Sequence, residues 1–210
     1  MTSLRFLFIC GLVSLLCACA NVSRDFKFKP DGSTGLVVGS ISYESGLGKY
    51  FLVAQNVETL KIVEFGFGCS IFPCLAPAND TVYSANEVPK QRGGGYAVEV
   101  EEGQYRIVGW HVVQGYMNAR SKRRTDIRFT VERGKASYLG NLYFDSEWEA
   151  VQLRDKSERD LPLLRAEFSA LNTAPFAYTI APSSKVEGFG GEYQRGIEGQ
   201  IFIPFVPIKR

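Results

Sequence analysis

Few side chains in this 210-residue chain can carry proton or nucleophile chemistry, and they do not converge in sequence. His111 is the single histidine and directly follows Trp110 in a run of strand-forming residues. An active site needs several polar groups at workable pKa values around one point, so His111 reads as a packed or rim histidine. Glu99, Glu101 and Glu102 offer three carboxylates within four positions, and a carboxylate pair can hydrolyse a glycoside. Strand alternation puts Glu99 and Glu101 on one face and Glu102 in the following turn, which a solvated hairpin edge explains. Gly93-Gly94-Gly95 comes after Lys90 and Arg92. A phosphate cradle would need a helix to open after the glycines, and none is signalled there. No Gly-x-Ser-x-Gly elbow, His-Glu-x-x-His pair or Walker-type loop occurs. No catalysis, and no cofactor, is expected.

The elements around these residues read as strands. Gly35 to Tyr43 alternates apolar and small residues, and Tyr50–Ala54 and Thr59–Phe67 are rich in β-branched and aromatic side chains. Gln55-Asn56 stands between the latter two as a turn. Residues 69–92 hold Pro73, Pro77 and Pro89 and read as irregular, with Thr81–Ser84 as a short edge strand. Tyr96–Val100 and Gln104–Trp110, joined by Glu101-Glu102-Gly103, form an expected hairpin. In it Tyr105, Ile107 and Gly109 share one face, and Arg106, Val108 and Trp110 the other. Ile127–Val131 and Ala136–Tyr143, joined through Gly134, repeat the pattern, and Arg128 and Thr130 give the first of them a wet face. Trp148–Leu153 reads as the next strand, with Val151 and Leu153 inward.

One helix is expected, capped by Asp160 with Pro162 in its first turn and Leu161, Leu164, Phe168 and Leu171 at helical spacing. The sum is a mainly β chain: an antiparallel, immunoglobulin-like β-sandwich with one short C-terminal helix. Beyond Asn172, Gly188–Gly191 and Gly196 suggest loops. Ile201–Ile208 is apolar but carries Pro204 and Pro207, so it reads as an edge or docked contact segment rather than a central strand.

The first residues define a destination. Met1–Arg5 is a short head with one basic residue, and Phe6–Leu16 is uncharged and almost wholly apolar. That is the architecture of a secretory signal, too short to span a bilayer as a helix. Leu16-Cys17-Ala18-Cys19 then resembles the lipobox of bacterial lipoproteins, with Cys17 less usual at its place than alanine or serine. The resemblance implies cleavage after Ala18, lipid on the Cys19 sulfur and acylation of the new amine. Each buried methylene of such an anchor contributes about 0.8 kcal/mol, and more than one chain is needed for stable attachment. Ala20, not an aspartate, follows the cysteine. By resemblance to lipoprotein sorting in diderm bacteria, that implies the outer membrane.

Removal of residues 1–18 leaves enough chain for one good-sized domain or one domain plus an appendage, and loss of Arg5 takes the formal charge from +2 to +1. Such balance gives no electrostatic basis for binding nucleic acid. The one basic cluster, Arg120 to Arg124, reads as a solvated loop. Of five cysteines, Cys10 and Cys17 leave with the signal and Cys19 takes the lipid, so Cys69 and Cys74 remain. In an oxidising compartment this pair is expected to bridge, stabilising the fold by about 2 kcal/mol. A zinc half-site would need a second pair of ligands, which the sequence does not offer nearby.

Gly103-Gln104-Tyr105, then Gly134-Lys135-Ala136-Ser137-Tyr138-Leu139-Gly140, then the Asp-Leu helix resemble small bacterial envelope lipoproteins with a β-sandwich domain. The likeness runs from about Gly35 to Leu171 and implies no catalytic residue. The expected organisation is a signal peptide (1–18), a tether (19–34), a sandwich with docked helix (35–171) and a C-terminal extension (172–210). The expected function is a membrane-anchored binding or assembly module with an envelope protein as partner. The alternative is a structural or secretion-accessory lipoprotein that anchors a larger complex.

Overall fold

The computed structural model describes residues 22, 26–27, 32–45, 48–68, 81–82, 92–114, 117–122, 125, 127–146, 151–178 and 193–197. Cys19, Cys69, Cys74, the signal segment and Ile201–Ile208 lie outside the described residues. The strands are β1 (Thr34–Tyr43), β2 (Lys49–Asn56), β3 (Ile62–Gly68), β4 (Thr81–Val82), β5 (Arg92–Glu101) and β6 (Gly103–Gln114). They continue with β7 (Met117–Ser121), β8 (Ile127–Val131), β9 (Ala136–Phe144), β10 (Gln152–Arg154), β11 (Phe176–Tyr178) and β12 (Tyr193–Ile197). A helix, α1 (Ser157–Glu167), and a 3-10 turn at Ser169–Asn172 fall between β10 and β11.

Two sheets result. Sheet I runs β10-β9-β1-β5-β4, with β11 also on β9; sheet II runs β12-β7-β6-β2-β3, with β8 also on β6. The chain is mainly β, and the two sheets pack as a sandwich. Tyr50, Leu52, Phe65, Ile107 and Trp110 of sheet II meet Val37, Ile41, Tyr96, Leu142 and Phe144 of sheet I in the central core. Each such side chain contributes roughly 1.5–3 kcal/mol on full burial. Trp110 stands edge-on to Phe144 at 5.4 Å, the arrangement its ring quadrupole favours.

A second core lies on the other side of sheet I, where Leu164, Phe168 and Leu171 cover Leu36, Val38, Ala97 and Tyr138. Strand β1 is therefore buried on both faces along nearly its whole length. One alternate set, Val37, Ile41 and Tyr43, enters the central core, while the other starts with Leu36 and Val38 in the second core and continues with the buried Ser40 and Ser42. The expected helical run from Leu161 to Leu171 is broken: Leu164 comes from α1, Phe168 is extended and ends it, and Leu171 comes from the 3-10 turn. A short helix is thus held here by packing from the residues beyond its end as well as its own.

Several expectations are corrected. The two anticipated hairpins are arches: β5 pairs with β1 in sheet I while β6 pairs with β2 in sheet II. Likewise β8 pairs with β6, and β9 runs parallel to β1. The glycine turns at Gly103 and Gly134 carry the chain from one sheet to the other, and Gly134 takes φ +73. The alternation expected along β6 holds through Ile107 and then reverses. Val53 pairs with Gly109 and Ala54 with Ile107, so Val108 is an extra residue in the ladder. A bulge moves every later side chain to the opposite face, which puts Trp110 and Val112 in the core and His111 outside.

The turn between β2 and β3 comes later than Gln55-Asn56. The Asn56 Oδ1 accepts the amides of Glu58 and Thr59, both at 2.9 Å, and the chain reverses over residues 57–59. Helix α1 begins before Asp160, at Ser157, whose amide donates to the Asp155 carboxylate at 2.9 Å. Arg120 lies in strand β7 and not in a loop. Gly196 also lies in a strand, since β12 pairs with β7. Within the expected tether, the Val22 amide donates to Ala97 O at 2.8 Å.

Candidate functional site

Beneath helix α1 the outer face of sheet I carries polar side chains where apolar ones would be expected. Ser40, Ser42, Asn141 and Asp160 are all essentially without solvent exposure. Ser42 Oγ donates to Asn141 Oδ1 at 2.9 Å, Asn141 Nδ2 to Ser40 Oγ at 2.7 Å, and Ser40 Oγ to Asp160 Oδ2 at 2.6 Å. Tyr138 donates to the same carboxylate oxygen at 2.7 Å, and Arg159 Nε donates to Asp160 Oδ1 at 2.7 Å. These residues meet because β9 is irregular here. Val38 pairs with Tyr138 but Ser40 with Asn141, and Gly140 absorbs the extra residue at φ +98.

A buried carboxylate costs several kcal/mol unless its lone pairs are satisfied. Three donors satisfy this one, and burial together with the Asp160 charge raises the Tyr138 phenol well above its ordinary pKa. The arrangement ties β1, β9 and α1 together. A serine nucleophile would need a base poised to take its proton and an approach for substrate. Ser40 is sealed at 1% exposure and its partner is a carboxylate held by three donors, so the constellation acts as a structural pin.

Beside this cluster, across sheet I, the Tyr96 hydroxyl lies in the central core without a hydrogen-bond partner among the described residues. Its ring crosses Gly39, where a Cβ would come within 2.4 Å of the hydroxyl oxygen. Glycine is thus required for a close approach rather than for a turn.

The outer face of sheet II is the other polar surface. His111 stacks on Phe51 at 4.3 Å, and Phe51 in turn covers Gly66. The His111 Nδ1 lies 3.5 Å from Glu64 Oε1, too long for a good hydrogen bond. It is not an ion pair, because burial lowers the imidazole pKa to about 4 and leaves it neutral at pH 7. Burial also raises the Glu64 pKa. Nearby, Arg106 donates to Gln55 Oε1 at 2.6 Å and Gln104 to Thr130 at 2.9 Å.

The remaining sequence candidates do not come together. Glu99, Glu101 and Glu102 are exposed. Glu99 accepts from Thr34 at 2.5 Å and Glu101 pairs with Lys61 at 3.3 Å, a contact of low energetic weight at that exposure. Gly93, Gly94 and Gly95 lie inside β5, where added Cβ atoms would meet Ile41, Phe67 and Leu164. The triple glycine lets the helix and the facing sheet approach the strand closely. Asp160 was legible only as a helix cap, and its acceptor role had no signal in sequence. Among the described residues no three His, Cys, Asp or Glu side chains gather as a metal would require. No helix among them is long and apolar enough to cross a membrane.

No protein-family model matches the chain, and no curated protein matches it. Among solved structures, a leucine-rich repeat protein from Bacteroides thetaiotaomicron VPI-5482 is 17% identical, with a TM-score of 0.33. The match covers 55% of this chain and 12% of that one, and a likeness so slight carries no argument.

Proposed function

We propose that the chain is a lipid-anchored cell-envelope protein whose sandwich serves as a binding or assembly module on the outer membrane. The observation that carries this reading is Leu16-Cys17-Ala18-Cys19 after the apolar run Phe6–Leu16. The domain's construction is compatible with it. The polar groups buried under α1 are used up in holding the helix, which leaves the outer face of sheet II, with Phe51, His111 and Gln104, as the surface offered to a protein partner. An immunoglobulin-like outline is part of the proposal at the level of two packed sheets of short strands; here the first strand joins β5 and β9 rather than β2.

A disulfide between Cys69 and Cys74 is likewise proposed, and a free thiol on either, found by alkylation of the secreted form without reductant, refutes it. The function is tested by fractionation and crosslinking in whole cells. The wild type should sediment with outer-membrane vesicles and crosslink to a defined envelope protein, and Cys19→Ala should not sediment. Equal solubility of the two proteins overturns the anchor, and the absence of any crosslinked partner overturns the binding role.

A further inference from the structure

The stretch after Cys19 is held against the domain almost at once. The Val22 amide bonds to Ala97 O at 2.8 Å, on the edge of β5 away from β1. Val22 and Phe26 are half-buried and pack into the same cluster as Leu161 and Leu164 of α1. Cys19 lies three positions before Val22. Three residues reach at most about 11 Å when fully extended, so the chain between Cys19 and the docked Val22 spans no more than that. The exposed positions of α1 are Glu158 in its first turn and then Pro162, Leu163, Arg165 and Ala166, with Leu163 44% exposed and the Arg165 guanidinium 5.2 Å from the Phe176 ring centre. Exposed apolar side chains beside a basic one suit the boundary between headgroups and acyl chains.

We infer that the domain lies with its helix layer against the bilayer that holds its own lipid, and that the outer face of sheet II points away. This rests on the lipid-anchor reading and adds an orientation to it. The leash sets the orientation. A flexible tether of 16 residues would let the domain tumble over roughly 20 Å, whereas a three-residue one docked at Val22 does not.

The test uses full-length, lipidated protein in phosphatidylethanolamine/phosphatidylglycerol vesicles carrying doxyl-labelled lipid. An NBD fluorophore is attached at Leu163→Cys or, on the far face, at Gln104→Cys, with wild type as labelling background. Quenching at 163 should exceed that at 104 several-fold. A linker of about 20 Gly/Ser residues inserted between Asn21 and Val22, spanning roughly 25 Å, should abolish the difference. Equal quenching, or stronger quenching at 104, overturns the orientation. A difference that survives the linker overturns the leash as its cause. Palmitate content of the same preparation is measured in parallel: without palmitate the anchor reading fails and the orientation with it, whereas palmitate with equal quenching fails the orientation alone.

Discussion

The Ser40 hydroxyl donates to the Asp160 carboxylate at 2.6 Å, joining two residues 120 positions apart across the boundary between sheet I and helix α1. Both residues are sealed from solvent, at 1% exposure each. The bond gives the helix a fixed register on a sheet face that would otherwise be greasy and permissive.

Asp160→Ala is therefore expected to destabilise the domain by about 3 kcal/mol, because Ser40 and Tyr138 lose a shared buried acceptor. Asp160→Asn, which keeps one acceptor oxygen, should recover part of that loss. Urea denaturation of the three proteins checks the order. A shift below about 0.5 kcal/mol for the alanine variant would show that the network is not a pin.

Tyr96→Phe is expected to be neutral or slightly stabilising. Its hydroxyl is buried without a partner among the described residues, so removal deletes a desolvated group and breaks no bond described there. Thermal melts of the two proteins decide the matter, and a drop of several degrees would mean that the hydroxyl is bonded after all.

Gly93→Ala should be far more damaging than Gly95→Ala. A Cβ at 93 would lie 1.9 Å from the carbonyl oxygen of Ile41, which is backbone in a paired strand. At 95 it would meet the end of the Leu164 side chain at 2.5 Å, which can swing aside. Overpacking of the first kind costs typically 1–3 kcal/mol or more. Melts of equal height for the two variants would contradict this account of the glycine run.

Stability should depend on pH through His111. Its folded pKa is lowered to about 4 by burial, while the unfolded chain titrates near 6.5. Above pH 6.5 both states are neutral and the contribution is complete. As pH falls from 6.5 towards 4 the unfolded state binds the proton first, so stability is lost through that window and levels off below it. With the ring 26% exposed, the loss should be about 2 kcal/mol. The raised pKa of Glu64 acts in the opposite sense at the lower end of the same window. The difference between wild type and His111→Gln therefore isolates the histidine. A difference independent of pH between 7 and 4.5 would rule out a lowered imidazole pKa.

Individual strands were legible because alternation is local. Ile127, Phe129 and Val131 face the core and Arg128 faces water, as their spacing requires. Pairing was not legible, because Glu101-Glu102-Gly103 serves equally for a hairpin and for an arch between sheets. Only the burial of β1 on both sides separates the two, and that is a tertiary fact. The bulge at Val108 was hidden for a similar reason: Val108-Gly109-Trp110 carries no mark of an extra residue, yet it reverses the facing of Trp110 and His111. Asp160 was misread because a lone acid ahead of a leucine run fits a helix cap, and its partners lie in strands distant in sequence. Tyr193–Ile197 was missed because Gly196 and the glycines before it read as loop, while its partner β7 contributes the hydrogen bonds that make it a strand.

The central claim is the lipid on Cys19, and metabolic labelling with radioactive palmitate tests it most directly. Wild-type protein should incorporate label and, once purified, begin at residue 19 with two or more acyl chains in its intact mass, whereas Cys19→Ala should incorporate none. A wild-type protein that takes up no label, or that matures at any position other than Cys19, contradicts the claim.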